Sequence, residues 1–229
     1  MQPIDTLNQL DQLIQSRSIL NHPFYVAWQK GSLTSEQLAT YSRVYYPHVA
    51  AFPGYLSKAL ESVTDGPVRA ELQANLDDEL HNPKEHSELW LDFAAGLGVP
   101  REDLSTEPRN QAAENIVATF EDLSSRGTGQ ALAALYAYES QQPEVSHQKS
   151  DGLREMYDVD DPDTLAYFEV HAETDIEHRQ GERQALQRCL ENGSSPEEIM
   201  ASAEQALDAY WGLLDGVCAE AGISVNQST

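Results

Sequence analysis

The chain has 229 residues, 40% of them hydrophobic and 23% charged, with a formal net charge of −24. That length and composition predict one folded domain with a sizeable core and exclude a disordered chain. The charge argues against nucleic acid and anionic membrane surfaces as partners, and no apolar run approaches the ~18 residues of a membrane span. Met1–Leu10 is polar and amphipathic, unlike an export leader. Two cysteines, Cys189 and Cys218, make no disulfide framework, so a reducing, cytoplasmic setting is expected. Lysine is scarce: Lys30, Lys58, Lys84 and Lys149 are the four.

In chain order, Leu7, Leu10, Leu13 and Ile14 form a helical stripe over 4–17. Pro23 opens a short helix through Phe24, Val26 and Trp28 that Gly31 ends. Thr34 and Gln37 then read as a capping box for a helix bearing Leu38, Tyr41, Tyr45, His48 and Phe52. Pro47 and Pro53 predict a kink or break in it. Asp65-Gly66-Pro67 starts a helix over 68–80, Pro83 turns or kinks the chain, and a helix over 86–97 meets Gly98 as its cap. Further helices are predicted over 111–123, over 128–147 as one long alanine-rich element disturbed by Pro143, and briefly over 153–157. The longest runs from Asp161-Pro162 to about Glu191, and Ser195-Pro196 opens the last. No strand alternation appears, and the only β-branched cluster is the tail Ile223-Ser224-Val225. The prediction is all-α: residues 1–229 as a single helical-bundle domain of about seven major helices.

Within the longest helix His171, Asp175 and His178 fall at i, i+4 and i+7, on one face over two turns. Imidazole and carboxylate together suit a borderline divalent metal. In bundles the remaining ligands come from other helices. Glu79 and His86 are seven apart, again two turns and one face although Pro83 lies between them, and Glu139 follows an apolar run, which predicts that it points inward. Three histidines and three carboxylates are enough for two metals with Glu139 as a bridge. His22, His48, His81 and His147 lack such alignment, and most tyrosines among 41, 45, 46, 136, 138 and 167 read as core, with some lining a pocket.

The segments His22-x-Phe24-Tyr25-Val26-x-Trp28, Tyr45-Tyr46-x-His48, Ala51-Phe52-Pro53-x-Tyr55-Leu56-Ser57, Leu132 to Gln141 and Ala166-Tyr167-Phe168 resemble the haem-oxygenase-like di-iron oxidases. Among these the chain is most similar to the group that includes the Chlamydia protein associating with death domains. The resemblance covers nearly the whole chain and implies a haem-oxygenase-like (TenA/PqqC-like) bundle. It also implies the ligand set Glu79, His86, Glu139, His171, Asp175 and His178, the same six that spacing selects. Two relatives share the fold without the site. Thiaminase II uses a pocket cysteine, whereas Cys189 and Cys218 lie outside the segments expected to line the pocket, and the pyrroloquinoline-quinone synthesis protein C works without metal.

What the resemblance implies chemically is a dinuclear centre, iron with iron or iron with manganese, using dioxygen and an external reductant to make para-aminobenzoate for folate synthesis. The group is self-sacrificing: Tyr25 matches its precursor tyrosine and Lys149 its amine-donor lysine. The residues themselves leave other readings open. Tyr25 fits a core position, Lys149 fits the end of a helix, and the ligands would equally hold two zinc ions for hydrolysis. Oxidation of a small external substrate and a non-catalytic interaction protein stapled by metal are the alternatives. The reading is compatible with a homodimer and leaves the reductant donor unidentified.

Overall fold

The computed structural model describes residues 2–224; Met1 and residues 225–229, with Val225 of the expected tail, lie outside the described residues. Ten α-helices follow one another: α1 (Pro3–Ser16), α2 (Pro23–Gln29), α3 (Ser35–Ser62), α4 (Gly66–His81), α5 (His86–Gly96), α6 (Gln111–Ser125), α7 (Thr128–Glu139), α8 (Gln142–Tyr157), α9 (Pro162–Glu191) and α10 (Pro196–Glu220). Single 3-10 turns lie at Ile19–Asn21 and Arg101–Asp103, and no strand occurs among the described residues. None of these helices is long and apolar enough to cross a membrane. One hydrophobic cluster takes residues from every helix, including Leu10, Phe24, Tyr41, Leu72, Trp90, Phe120, Leu132, Val145, Phe168 and Leu213.

Two expectations fail, both at prolines. Pro47 and Pro53 do not break α3, which runs unbroken through both. Each removes one backbone hydrogen bond, but Tyr45, Tyr46, His48, Val49, Phe52, Tyr55 and Leu56 are all buried around them, and that packing outweighs the local loss. The helix expected over 128–147 divides instead into α7 and α8, and the latter absorbs the short helix expected at 153–157. Here Pro143 decides the outcome. It has no N–H to give the carbonyl four residues back, which is that of Glu139, the last residue of α7. The freed chain end is held by side chains. Gln141 Nε2 donates to Ala137 O (2.9 Å), Gln142 Nε2 to Tyr138 O (3.4 Å) and Arg179 Nη1 from α9 to Ser140 O (3.3 Å). Ten α-helices thus stand where about seven major ones were expected.

Helix α9 is the spine. Asp161 caps it by accepting from Thr164 N (2.9 Å), and Pro162 occupies its first turn. Its buried stripe begins apolar at Leu165 and Phe168, turns polar through His171, Asp175, His178 and Glu182, and becomes apolar again at Ala185, Leu186 and Cys189. Helices α4, α5, α7 and α8 all pack on it.

Helices α2 and α8 approach closely because residue 152 is glycine. A Cβ there would sit 2.7 Å from Nε1 of the fully buried Trp28, whose ring N–H reaches Lys149 O (3.4 Å). Alanine at 152 would recover up to ~1 kcal/mol of helix propensity and incur ~1–3 kcal/mol of overpacking. Gly152→Ala is therefore expected to lower the urea midpoint; an unchanged or raised midpoint would show that Trp28 yields.

Candidate metal centre

Glu79 and His86 do not share a helix face. Glu79 is near the end of α4 and His86 begins α5, and the turn at 82–85 folds one onto the other. His86 Nδ1 lies 3.1 Å from Glu79 Oε1, and His171 Nε2 from α9 lies 3.7 Å from the same oxygen. One donor atom from each of the three falls within 4.8 Å of the others. The far nitrogens are fixed by backbone: His86 Nε2 contacts Asn82 O (3.0 Å) and His171 Nδ1 contacts Tyr167 O (2.6 Å). With those nitrogens held by the carbonyls, His86 Nδ1 and His171 Nε2 are the ring atoms turned toward Glu79, and each offers a lone pair to a metal once deprotonated.

Glu139 and Asp175 line one narrow cavity with Glu79, His171, Tyr138, Gln142 and Tyr167. Its volume of about 10 Å³ is near the least that admits one water. Asn75 Nδ2 donates to Glu139 Oε2 (2.7 Å). His178 is buried but is not among the cavity-lining residues; its Nε2 lies 3.2 Å from Asp78 Oδ2. The structure thus gathers Glu79, His86 and His171, sets Glu139 and Asp175 on the adjoining cavity, and pairs His178 with Asp78.

Charge in this site is poorly matched by protein alone. Burial acts to raise the Glu79 carboxyl, yet His86 and His171 outweigh it and bring it down to about 2. Burial, and then the Glu79 charge, pushes Glu139 up to about 8. Burial together with Glu139 and Glu79 holds Asp175 well above the usual carboxylate range. Burial lowers His171 and His178, while in His86 the Glu79 carboxylate overrides burial and raises the ring. Glu139 Oε1 and Asp175 Oδ2 are buried without a hydrogen-bond partner. Unpaired buried acceptors of this kind are costly, and bound divalent cations would satisfy them.

The profile of a family described as "Iron-containing redox enzyme" matches residues 39–211. The chain belongs to this family. It is 40% identical to a 4-aminobenzoate synthase of Nitrosomonas europaea, over 91% of this chain and 89% of that one. It is 37% identical to a 4-aminobenzoate synthase of Chlamydia trachomatis, over 91% and 90%. The fold matches that of a CADD-like protein of unknown function from Nostoc punctiforme, with a TM-score of 0.77 over 97% of this chain, 99% of that one and 23% identity. The chain is thus an oxidoreductase with the haem-oxygenase-like fold. The donor set fits iron: imidazole nitrogens and carboxylate oxygens, buried and lacking other partners.

Tyr25 and Lys149 are both buried, at 1% and 2% exposure. His22 Nδ1 caps α2 by accepting from Phe24 N (3.1 Å), which sets the helix that carries Tyr25. Lys149 Nζ sits 5.2 Å from the Tyr25 ring, 5.4 Å from those of Tyr41 and Tyr45, and 5.2 Å from that of Phe168. No carboxylate pairs with this amine among the described residues, and burial drops it well below the usual lysine range. The Tyr45 and Tyr138 hydroxyls are hydrogen-bonded (2.8 Å), which joins the aromatic box around Lys149 to the carboxylate cavity. Neither cysteine lines that cavity, and burial raises both thiols to about 11.

Sequence reasoning missed four contributors: Asn75, Asp78, Glu182 and Tyr210, whose ring lies 4.8 Å from that of Tyr138. For Glu182 a signal existed, since it continues the 171, 175, 178 stripe at the next helical step. Asn75 had one too, lying one turn before Glu79 on α4. Asp78 and Tyr210 had none, because their partners are remote in sequence.

Proposed function

We propose that the chain makes 4-aminobenzoate from its own residues, Tyr25 supplying the ring and Lys149 the nitrogen. The observation that carries this reading is the buried, unpaired Lys149 amine within an aromatic box that includes Tyr25. A lysine so placed is costly to the fold, and a chemical role there accounts for its presence. Desolvation shifts Lys149 toward the neutral amine, the form an amine donor requires. The names of the relatives at 37–40% identity support the same product.

In this reading Glu79, His86, Glu139, His171, Asp175 and His178 would hold two metal ions, iron with iron or iron with manganese. When bound, these ions would supply the electrons that activate dioxygen, replenished by an external reductant. His178 would exchange its contact with Asp78 for this role. Tyr138 would link the centre to Tyr45 and so to the box. The box excludes water from Lys149 and Tyr25, and Trp28 and Phe24 hold the Tyr25 ring at 6.5 and 5.5 Å between centroids. The narrowness of the carboxylate cavity favours an internal ring over an external aromatic substrate.

Ring-labelled tyrosine incorporated into the chain tests this. With iron, manganese, reductant and dioxygen supplied, the label is expected in 4-aminobenzoate, at no more than about one product per chain, because a consumed side chain cannot turn over. Unlabelled product, or many turnovers per chain, would replace this reading with an oxygenase of an external substrate.

A further inference from the structure

Glu182 has no part in the six-residue set, yet it is the most deeply buried carboxylate of the region, at 0% exposure. It lies one turn beyond His178 on the polar stretch of the α9 stripe. Neither of its oxygens has a hydrogen-bond partner. Its carboxyl is adjacent to that of Glu139, whose Oε1 is also unpartnered, and once ionised for metal the two carboxylates have no donor between them. A third carboxylate reaches toward the same place: a Cβ on Gly181 would fall 2.0 Å from Cδ and Oε1 of Glu71, so the absence of a side chain at 181 makes room for that group.

We infer that Glu182 is a seventh ligand of the centre, the carboxylate that retains the second divalent cation on the Glu139 side. This rests on the two-metal reading above and adds a donor to it. Charge supports it independently of geometry. Glu79, Glu139 and Asp175 carry three negative charges when ionised, and two divalent cations carry four positive ones. Buried ions are stable only when paired, and Glu182 supplies the missing charge. No lysine or arginine pairs with Glu139 or Glu182 among the described residues, so a cation is the partner this arrangement lacks.

The test uses the full chain, freed of metal and titrated with Mn²⁺ alone, with metal per chain, both dissociation constants and the metal-free melting temperature as readouts. Wild type is expected to take two ions. Glu182→Gln keeps the shape without the charge, and is expected to hold the first ion normally and the second at least ~10-fold more weakly. Its metal-free form should melt no lower than wild type, because glutamine keeps the shape of this unpartnered carboxyl and adds an N–H that Glu139 can accept. Two ions bound with wild-type affinities in Glu182→Gln would overturn the inference and leave the two-metal reading standing. A single ion in wild type would overturn both. Should glutamine at 182 prevent folding, Glu182→Asp, which withdraws the carboxylate by one methylene, is expected to weaken the second ion, and undiminished second-ion affinity there would equally overturn the inference.

Discussion

Lys149→Met is expected to abolish 4-aminobenzoate formation while leaving the metal content of the protein unchanged. The side chains are similar in length, and methionine suits a box of aromatic rings, where its sulfur makes favourable contacts. Lys149 now presents an amine to the rings of Tyr25, Tyr41, Tyr45 and Phe168 with no carboxylate beside it. Removing a buried polar group of this kind returns ~1–3 kcal/mol, so the variant should also melt higher than wild type. Loss of product together with a gain in stability separates a reacting lysine from a structural one. A structural lysine would give lower stability and product in proportion to folded protein. Wild-type yield from Lys149→Met would show that the nitrogen comes from elsewhere. Tyr25→Phe is the companion, removing one hydroxyl that lies 3.5 Å from that of Tyr41. It should likewise keep its metal and lose its product.

Helical periodicity carried most of the architecture because nearly every helix here buries one stripe, and a stripe is visible in sequence. The capping residues Thr34, Asp65, Asp161 and Ser195 each accept a backbone N–H at the start of a helix. What periodicity could not give was the outcome of competition between local and tertiary terms. Pro47, Pro53 and Pro143 look alike in sequence. The first two lie in a helix buried along most of its length, while Pro143 lies where Gln141, Gln142 and Arg179 satisfy the opened carbonyls. The same limit applies at the site. His171 and Asp175 share a helix face, and spacing found them. Glu79 and His86 were paired on an assumed common face, whereas a turn between two helices joins them. His178 lies on the expected stripe but meets Asp78, a residue of another helix that no spacing rule connects to it. Tyr25 and Lys149 came from family resemblance alone. Their contact depends on Gly152 allowing α2 against α8, a tertiary fact.

Affinity for divalent metal is expected to rise with pH between 6 and 8. The sign follows from which groups hold protons in the metal-free protein. Glu79, brought down to about 2 against the effect of burial by His86 and His171, is already ionised and releases nothing. His171, lowered by burial, is neutral at pH 7 and also releases nothing. Glu139, raised to about 8 by burial and the Glu79 charge, keeps its proton at pH 7, and Asp175 is raised for similar reasons. Ligands bind metal in their deprotonated forms, so loading the centre expels these protons. Each proton displaced makes affinity ~10-fold stronger per pH unit below the pKa and adds nothing above it. Glu139 alone therefore predicts a rise of about tenfold from pH 6 to pH 7, and Asp175 and the raised His86 steepen it. Competition of Mn²⁺ between the protein and an indicator of known pH dependence, at pH 6, 7, 8 and 9, measures the slope. Ordinary carboxylates would have lost their protons near pH 4 and would give a flat profile over this range. A flat profile would mean that Glu139 and Asp175 are ionised before any metal arrives, and that another group already neutralises them.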